Sequence, residues 1–269
     1  MTIFQALLLG ILQGLTEFIP ISSTGHLLVA QSLMGIPPGD ATFAFLVLVQ
    51  VGTIVSLVVY FWMDLLSILK AFFAKPMSTL ENKLGWFILL ATIPALLAGL
   101  LLNHAIEALF RMPLIEASIR FFTAAVLMTL AEYFGKRTRS LTDMAWPDAL
   151  FIGAMQVLAV FPGASRSGTT ISAGLFRGFA RPSAARFAFL MSIPVMLAAG
   201  AYEMLDVLKM PDLASFLPIL AVGFITAAIV GWLAIKWLMN YLNHHSLYVF
   251  AAYCAIVGSL ILIYGLVIL

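Results

Sequence analysis

The stretch EFIPISSTGHL, residues 17–27, interrupts an apolar segment that runs from residue 3 to residue 34. Its proline, serines and glycine favour a break in a helix rather than its continuation. Each flank is shorter than the roughly 20 residues that a helix needs to cross a bilayer. Non-helical backbone at membrane depth is tolerated only where it is buried in protein or lines an aqueous cavity. The stretch therefore predicts a re-entrant helix–loop–helix hairpin.

The composition is that of a polytopic membrane protein. Of the 269 residues, 63% are hydrophobic and 10% are charged, whereas about a quarter of the residues in a soluble domain are charged. The net charge of +2 is too small to indicate a nucleic-acid partner. The single cysteine, Cys254, lies in an apolar run and is predicted to be a buried structural thiol.

Two kinds of apolar segment predict an all-α fold of six transmembrane helices and two re-entrant hairpins. A second broken segment, residues 148–177, contains FPGASRSGTT and resembles the first in its pattern. Six other segments are uninterrupted and long enough to span. They are residues 42–62, 84–103, 116–134, 184–205, 214–237 and 246–268.

A comparison of the chain with itself predicts one membrane domain, residues 1–269, built from two repeats at about 1–135 and 145–269. The tetrapeptide FAFL at 43–46 recurs at 187–190. At an offset of 143, Gly10, Gln13, Leu15, Phe18, Ser22 and Gly25 match Gly153, Gln156, Leu158, Phe161, Ser165 and Gly168. Each repeat would hold three spanning helices, an odd number, so the second repeat is inverted. Inverted repeats with interrupted helices indicate a site near the bilayer midplane.

The distribution of basic residues predicts that both termini are extracytoplasmic. If the N-terminus is outside, ten lysines and arginines fall on inner segments and three, Arg111, Arg120 and Lys209, on outer ones. This bias follows the positive-inside rule. The two hairpins then enter from opposite faces of the plasma membrane, their tips can meet, and the site is predicted to open to the extracytoplasmic side.

Serines and threonines stand where the second helix of each hairpin should begin. Such residues are preferred N-caps, and a helix N-terminus attracts anions. The candidates are Ser22, Ser23, Thr24, Ser165 and Ser167. Gly25 and Gly168 are expected to let the backbone approach a ligand closely. Two converging N-termini predict an anion site.

Four further residues suggest what this site does. Arg166 would cost at least ~2.5 kcal/mol at the bilayer centre, and its fork of donors suits phosphate. Glu17 and His26 supply the groups for acid–base or nucleophilic phosphoryl transfer. Alternatively, Glu17 holds a divalent cation. Gln13 shares a helix face with Glu17, so it either orients the carboxylate or a ligand, or joins helices by a hydrogen bond.

QGLTEFIPISSTGHL (13–27) and PGASRSGTT (162–170) resemble the two signature motifs of the undecaprenyl-diphosphate phosphatase family, bacterial membrane enzymes linked to bacitracin resistance. The resemblance implies hydrolysis of undecaprenyl diphosphate to the monophosphate, which recycles the lipid carrier of cell-wall peptidoglycan, with a divalent cation, Mg or Ca, as cofactor. It implies Glu17, Ser23, His26 and Arg166 as catalytic residues, with Glu17 also the metal ligand. Substrate-binding positions are Gln13, Ser22, Thr24, Gly25, Ser165, Ser167, Gly168 and Thr169. The family usually has a glutamate where this chain has Gln13.

Several alternatives stay open at the level of sequence. We favour Ser23 as the nucleophile, activated by Glu17 or His26; otherwise His26 attacks, or water activated by Glu17 does. The rival function is a lipid-phosphate flippase that uses the same anion site, alone or beside the phosphatase activity. A second class of membrane lipid phosphatase requires a histidine several residues after its SR motif, and SRSGTTISAGLFRGF has none. The expected partners are a polyprenyl diphosphate and membrane lipids, with a homodimer left open.

Overall fold

A computed structural model describes residues 1–73, 77–101, 113–159, 164–209 and 213–268. Within these ranges the chain is helical and has no strand. The helices are α1 (Ile3–Phe18), α2 (Ser23–Leu33), α3 (Asp40–Tyr60), α4 (Trp62–Phe72), α5 (Leu80–Leu101), α6 (Pro113–Phe134), α7 (Trp146–Val157), α8 (Arg166–Phe176), α9 (Arg181–Val207), α10 (Leu213–His244) and α11 (Tyr248–Ile268), with a 3₁₀ turn at Leu141–Asp143.

Six of the described helices are long and apolar enough to cross a membrane: α3, α5, α6, α9, α10 and α11. They coincide with the six segments predicted from sequence, which confirms that part of the fold. The amphipathic helix α4 was not predicted, because its hydrophobic residues are interspersed with Asp64 and Lys70 on a segment assigned to a loop.

Both broken segments divide into two helices, as predicted. Between α1 and α2 lies the first break, residues 19–22. The second break, residues 158–165, separates α7 from α8, and residues 160–163 lie outside the described part of the chain. The predicted repeat match of Phe18 with Phe161 therefore falls on a residue that is not described.

The sequence explains where the first break begins and ends. Ile19 is extended (φ −61°, ψ 127°), as expected for a residue before proline, so α1 stops at Phe18. Ser22 has a left-handed backbone (φ 68°), and its hydroxyl accepts from the Gly25 N–H at 3.4 Å. At the second break Ser165 is extended and accepts from Gly168 N–H at 3.3 Å. Both serines are therefore N-caps, as predicted.

The first helix of each broken segment packs closely on a spanning helix from the other half of the chain. α1 lies along α10, and α7 lies along α5. A Cβ at Gly10 would come within 2.6 Å of the Gly223 carbonyl oxygen, and one at Gly153 within 2.3 Å of that of Ala91. Small residues allow such close approach in membrane bundles. This packing holds the C-terminal ends of α1 and α7 in place within the bundle.

Each broken segment also has its two ends tied together. Gln5, at the start of α1, donates from Nε2 to the Met34 carbonyl beyond α2 at 3.2 Å. In the second segment, Asp148 in the first turn of α7 accepts from Arg139 (2.6 Å) and from Arg177, the C-cap of α8 (2.7 Å). Burial raises the pKa of Asp148, but hydrogen bonds from these arginines outweigh it and lower the pKa overall.

Candidate active site

A cavity of about 700 Å³ lies where the two breaks meet. One wall is polar and comes mainly from the breaks and the first turns of α2 and α8. The other is apolar and comes from α3, α5 and α9. The polar or charged lining residues are Glu17, Ser22, Ser23, Thr24, Gln50, Arg120, Gln156, Ser165, Arg166, Ser167 and Tyr202. An apolar pocket with a few convergent polar groups is typical of a ligand site.

At the centre of the polar wall, Glu17 joins the two breaks. Its Oε1 accepts from Arg166 Nη2, a residue 149 positions away in sequence. Its Oε2 accepts from the Ser23 hydroxyl at 2.7 Å. Glu17 is 4% exposed, so the carboxylate is held almost entirely by protein groups. The structure therefore brings together three of the four residues that sequence implied as catalytic.

Gln13 supports Glu17 from behind and does not line the cavity. Its Nε2 donates to Glu17 Oε2 at 2.7 Å, one helical turn away. The Gln13 Oε1 is buried and has no partner within the described residues. Of the two roles left open by sequence, this geometry favours orientation of the carboxylate.

Gln156 is a cavity residue that sequence reasoning missed. It is 1% exposed, and within the described chain neither Nε2 nor Oε1 has a hydrogen-bond partner. A buried amide without partners costs free energy unless a ligand or water satisfies it. The signal was present in the repeat, because Gln156 matches Gln13 at the offset of 143.

Arg120 is the second missed residue. It was counted only as an outer-face charge, but it projects from α6 into the cavity lining and is 5% exposed. Its Nη1 donates to the Ala164 carbonyl at 3.1 Å, just before the cap of α8. An arginine within a predicted span is a functional-site signal by itself, and that signal could have identified it.

His26 faces away from the cavity, although it lies in the first turn of α2. Its Nδ1 is 2.9 Å from the Ser22 carbonyl oxygen, and its Nε2 is 2.8 Å from the Tyr253 hydroxyl. A carbonyl only accepts, so Nδ1 carries the proton and Nε2 accepts from Tyr253. The ring also stacks on Tyr253. The structure therefore separates His26 from the Glu17 and Ser23 side chains.

Some of the other predicted site residues have different roles from those expected. Thr24 and Ser167 are the second residues of α2 and α8 rather than caps, although both line the cavity. Gly25 and Gly168 do not line it. A Cβ at Gly25 would meet the Phe121 ring at 2.9 Å, and one at Gly168 would meet Ala124 at 3.3 Å. These glycines allow contact with α6, and the expected backbone approach to a ligand stays a prediction.

Thr169 is fully buried on α8 and lies outside the cavity lining, so the structure does not place it at the site.

The lining offers poor ligands for a resident divalent cation. Glu17 is the only carboxylate among the lining residues that the structure describes, and both of its oxygens already accept hydrogen bonds. Two arginines share the cavity with it. The described residues contain no group of three His, Cys, Asp or Glu side chains that could hold a metal. The expected cation stays a prediction, and these donors do not fit one bound in advance of substrate.

Comparisons with known proteins agree on one family. The family described as "Bacitracin resistance protein BacA" matches residues 6–260. A protein of Chlorobium luteolum named undecaprenyl-diphosphatase is 42% identical, over 98% of each chain. One of Chlorobaculum tepidum with the same name is 41% identical, over 96% of this chain and 95% of its own. A third, of Myxococcus xanthus, is 40% identical over 98% of this chain and 89% of its own.

Proposed function

Since this chain belongs to the Bacitracin resistance protein BacA family, we propose that the cavity is the site at which it hydrolyses undecaprenyl diphosphate to undecaprenyl phosphate and phosphate. Relatives named undecaprenyl-diphosphatase match nearly the whole chain, so the enzyme is a membrane hydrolase of this class. The residue roles within the cavity are argued from its geometry below.

One observation carries the proposal: Arg166, Glu17 and Ser23 meet in a buried cavity between membrane helices. Arginine binds phosphate through paired N–H donors. The Ser23 hydroxyl donates a hydrogen bond to the Glu17 carboxylate at 2.7 Å, so a nucleophile lies within reach of its base. The N-termini of α2 and α8 border the same space and favour an anion. Together, the arginine, the hydroxyl with its base and the two helix N-termini supply the groups that phosphoryl transfer needs.

In the proposed first step, Ser23 Oγ attacks the terminal phosphorus while Glu17 Oε2 takes the hydroxyl proton. The bond from that phosphorus to the bridging oxygen breaks, and undecaprenyl phosphate leaves. Water then attacks the phosphorus of the phosphoserine, the bond from phosphorus to Ser23 Oγ breaks, Glu17 returns the proton to Oγ, and phosphate leaves. Arg166 moves from Glu17 to the transferring phosphoryl group, whose charge it stabilises.

His26 is better placed to position the break than to attack the substrate. It holds the carbonyl of Ser22, the residue before Ser23, and its Nε2 is occupied by Tyr253. A nucleophilic or basic His26 would require the ring to leave both partners. Direct attack by water activated by Glu17 remains the runner-up, because it uses the same carboxylate.

The apolar wall suits the prenyl tail of the substrate. Val47, Leu96 and Met196 lie on it, and it reaches the lipid-facing surface at Leu100 (74% exposed) and Tyr202 (63% exposed). We infer that the tail enters from the bilayer between α5 and α9 while the diphosphate reaches the polar wall. This arrangement gives the enzyme lipid access and a phosphate site in one cavity.

The proposed topology is an inverted repeat with two re-entrant hairpins, in a bacterial inner membrane. The ties between Gln5 and Met34, and between Asp148 and Arg177, bring the two ends of each hairpin together. The packing of α1 on α10 and of α7 on α5 exchanges partners between the halves, which supports a two-fold relation between the two repeats. A reporter fused after residue 269 should register as extracytoplasmic, and a cytoplasmic signal would contradict the orientation.

The rival function is a lipid-phosphate flippase. A flippase needs an anion site, but it does not need a nucleophile that is hydrogen-bonded to a base. The test is phosphate release from undecaprenyl diphosphate by the purified protein in detergent, beside Ser23→Ala as control. We expect release by the wild type only. Binding of the lipid without release by either protein would support the flippase and contradict the proposed hydrolysis.

A further inference from the structure

Gln156 contributes a buried amide to the cavity wall. The residue is 1% exposed and lines the cavity near the end of α7. Among the residues that the structure describes, neither its Nε2 nor its Oε1 has a hydrogen-bond partner. Its equivalent at the offset of 143, Gln13, instead donates from Nε2 to Glu17. A buried amide of this kind costs free energy until a ligand or water satisfies it, so Gln156 has a donor to offer to a ligand.

The packing of α7 on α5 places Gln156 beside the apolar wall. Gly153, one turn before Gln156 on the same face of α7, lies against Ala91 of α5. Ala95, one turn after Ala91, lines the cavity together with Gln156. From Ala95 the lining continues along α5 to Leu100, which is 74% exposed. Gln156 therefore lies where the polar wall meets the proposed path of the prenyl tail.

The proposed reacting groups lie on other helices. Glu17, Ser23 and Arg166 belong to α1, α2 and α8, and hydrogen bonds join the serine and the arginine to the glutamate. In the proposed reaction these residues act on the terminal phosphoryl group, while the tail lies on the apolar wall. The phosphate that stays on the lipid lies between the two, because it is covalently joined to both. A polar side chain at the border of the two walls is therefore placed to bind it.

We propose that Gln156 binds the lipid-attached phosphate of undecaprenyl diphosphate, and that it holds the same phosphate on the product, undecaprenyl phosphate. The inference rests on the proposed function, since it assigns a subsite within that cavity. Gln156 Nε2 donates, and a non-bridging oxygen of the phosphate accepts. Both amide atoms are buried in the structure, so binding requires the side chain to turn toward the cavity. That rotation breaks no side-chain hydrogen bond within the described chain.

The two products of the proposed reaction serve as separate probes of the two phosphate positions. Undecaprenyl phosphate carries only the lipid-attached phosphate, whereas inorganic phosphate probes the terminal position at Arg166. Binding of each is measured on purified protein in detergent from the shift of its thermal unfolding midpoint. Gln156→Leu should weaken the binding of undecaprenyl phosphate about tenfold, as for one lost hydrogen bond to a charged group, and that of inorganic phosphate less than about twofold. Arg166→Lys should show the opposite pattern.

The matched control is Gln13→Leu, because it makes the same substitution at the equivalent position of the repeat, outside the cavity lining. It should leave the binding of undecaprenyl phosphate within about twofold of the wild type. Equal losses of both probes in Gln156→Leu would overturn the inference, because they would show that the residue does not distinguish the two phosphates. Unchanged binding of undecaprenyl phosphate by Gln156→Leu would overturn it as well.

These binding measurements require no turnover, so they separate this inference from the proposed function. Absence of phosphate release by the wild type would count against the proposed function, while the binding of undecaprenyl phosphate would still decide the role of Gln156. If Gln156→Leu does not fold, Gln156→Met replaces it, because methionine keeps the length of the side chain and has no donor. The same tenfold loss is then expected, and wild-type binding of undecaprenyl phosphate by that variant would overturn the inference.

Discussion

At the first break, Ser22 caps α2 from a left-handed backbone, and the next residue, Ser23, donates its hydroxyl to Glu17. At the second break, Ser165 caps α8 from an extended backbone, and the next residue, Arg166, donates to the same carboxylate. Ser23 and Arg166 occupy equivalent positions at the offset of 143. Equivalent positions at the two breaks thus place a hydroxyl and a guanidinium at one carboxylate, which in the proposed mechanism are the nucleophile and the phosphate ligand.

The two broken segments also differ in how their ends are held. A single neutral hydrogen bond, from Gln5 to Met34, closes the first. The second is closed by the Asp148 carboxylate between Arg139 and Arg177. Left-handed backbone at a non-glycine residue is uncommon and is often found at functional sites. The first broken segment therefore has a left-handed turn and a neutral tie, while the second has an extended cap and a charged tie.

The largest expected effect comes from the nucleophile. Ser23→Ala should lower kcat by about 10³-fold or more, and Glu17→Gln by about 10²-fold or more, since each removes one member of a nucleophile–base pair. The matched control is Ser259→Ala on α11, an exposed serine outside the cavity lining whose hydroxyl donates to the Ala255 carbonyl, and it should stay within threefold. Phosphate release measures all three. Near-normal turnover by Ser23→Ala would show that water, activated by Glu17, attacks the phosphorus in place of Ser23.

The next effect tests the other half of the comparison. Arg166→Ala should lose about 10²–10³ in kcat/KM, comparable with one preorganised oxyanion donor. Arg166→Lys keeps the charge without the fork and should recover only part of that loss. Monodispersity in detergent serves as the folding control. A folded Arg166→Ala protein with wild-type kinetics would show that the second break does not touch the substrate.

Much of this comparison could be predicted from the sequence. The Pro–Ser–Gly interruptions and the apolar segments around them identify both broken helices and all six candidate spans, because local backbone chemistry decides these features. The caps Ser22 and Ser165 follow from the same chemistry. The direction of a side chain within the first turn of a helix cannot be predicted from local chemistry, since it depends on what packs against that face. Phe121 packs against Gly25 and Tyr253 holds the His26 ring, and both are remote from these residues in sequence.

The missed residues illustrate the same limit. Gln156 and Arg120 enter the cavity from α7 and α6, and no local motif marks either one. Gln156 could have been found from its match to Gln13, and Arg120 from its charge within a span. Their contact with the site depends on how helices from both halves pack, which short motifs do not record.

The two glutamines provide a sharper test, because they are equivalent in the repeat and differ in what they contact. Gln156→Leu should raise KM about tenfold with little change in kcat, as for a lost hydrogen bond to a charged ligand. Gln13→Leu should instead lower kcat about tenfold, since Glu17 loses the group that orients it. Gln13→Glu should leave the enzyme active. Identical kinetic effects of the two leucine variants would contradict the assignment of different roles.

His26 distinguishes positioning from catalysis at the first break. His26→Ala should lower kcat by about tenfold, of the order of one lost hydrogen bond to Ser22 in a buried setting, without changing the shape of the pH–rate profile. If His26 were the general base, its replacement would abolish the acidic limb of that profile. Tyr253→Phe, which removes only the other hydrogen bond of the ring, is the matched control and should have a smaller effect. Loss of the acidic limb in the pH–rate profile of His26→Ala would show that His26 acts as the general base.

The smallest effect concerns the caps themselves. Ser165→Ala and Ser22→Ala should each cost about 1 kcal/mol of unfolding free energy, the usual value of a lost N-cap, with activity within about threefold. Their glycine variants should differ. Ser22→Gly loses the cap but relieves the left-handed backbone, which glycine adopts freely, so it should be more stable than Ser22→Ala. Ser165 is already extended, so Ser165→Gly gains no such relief. Chemical unfolding in detergent measures this difference. Equal responses to glycine at both caps would show that the turn at Ser22 is not strained, and the two breaks would then differ only in the residue that follows the cap.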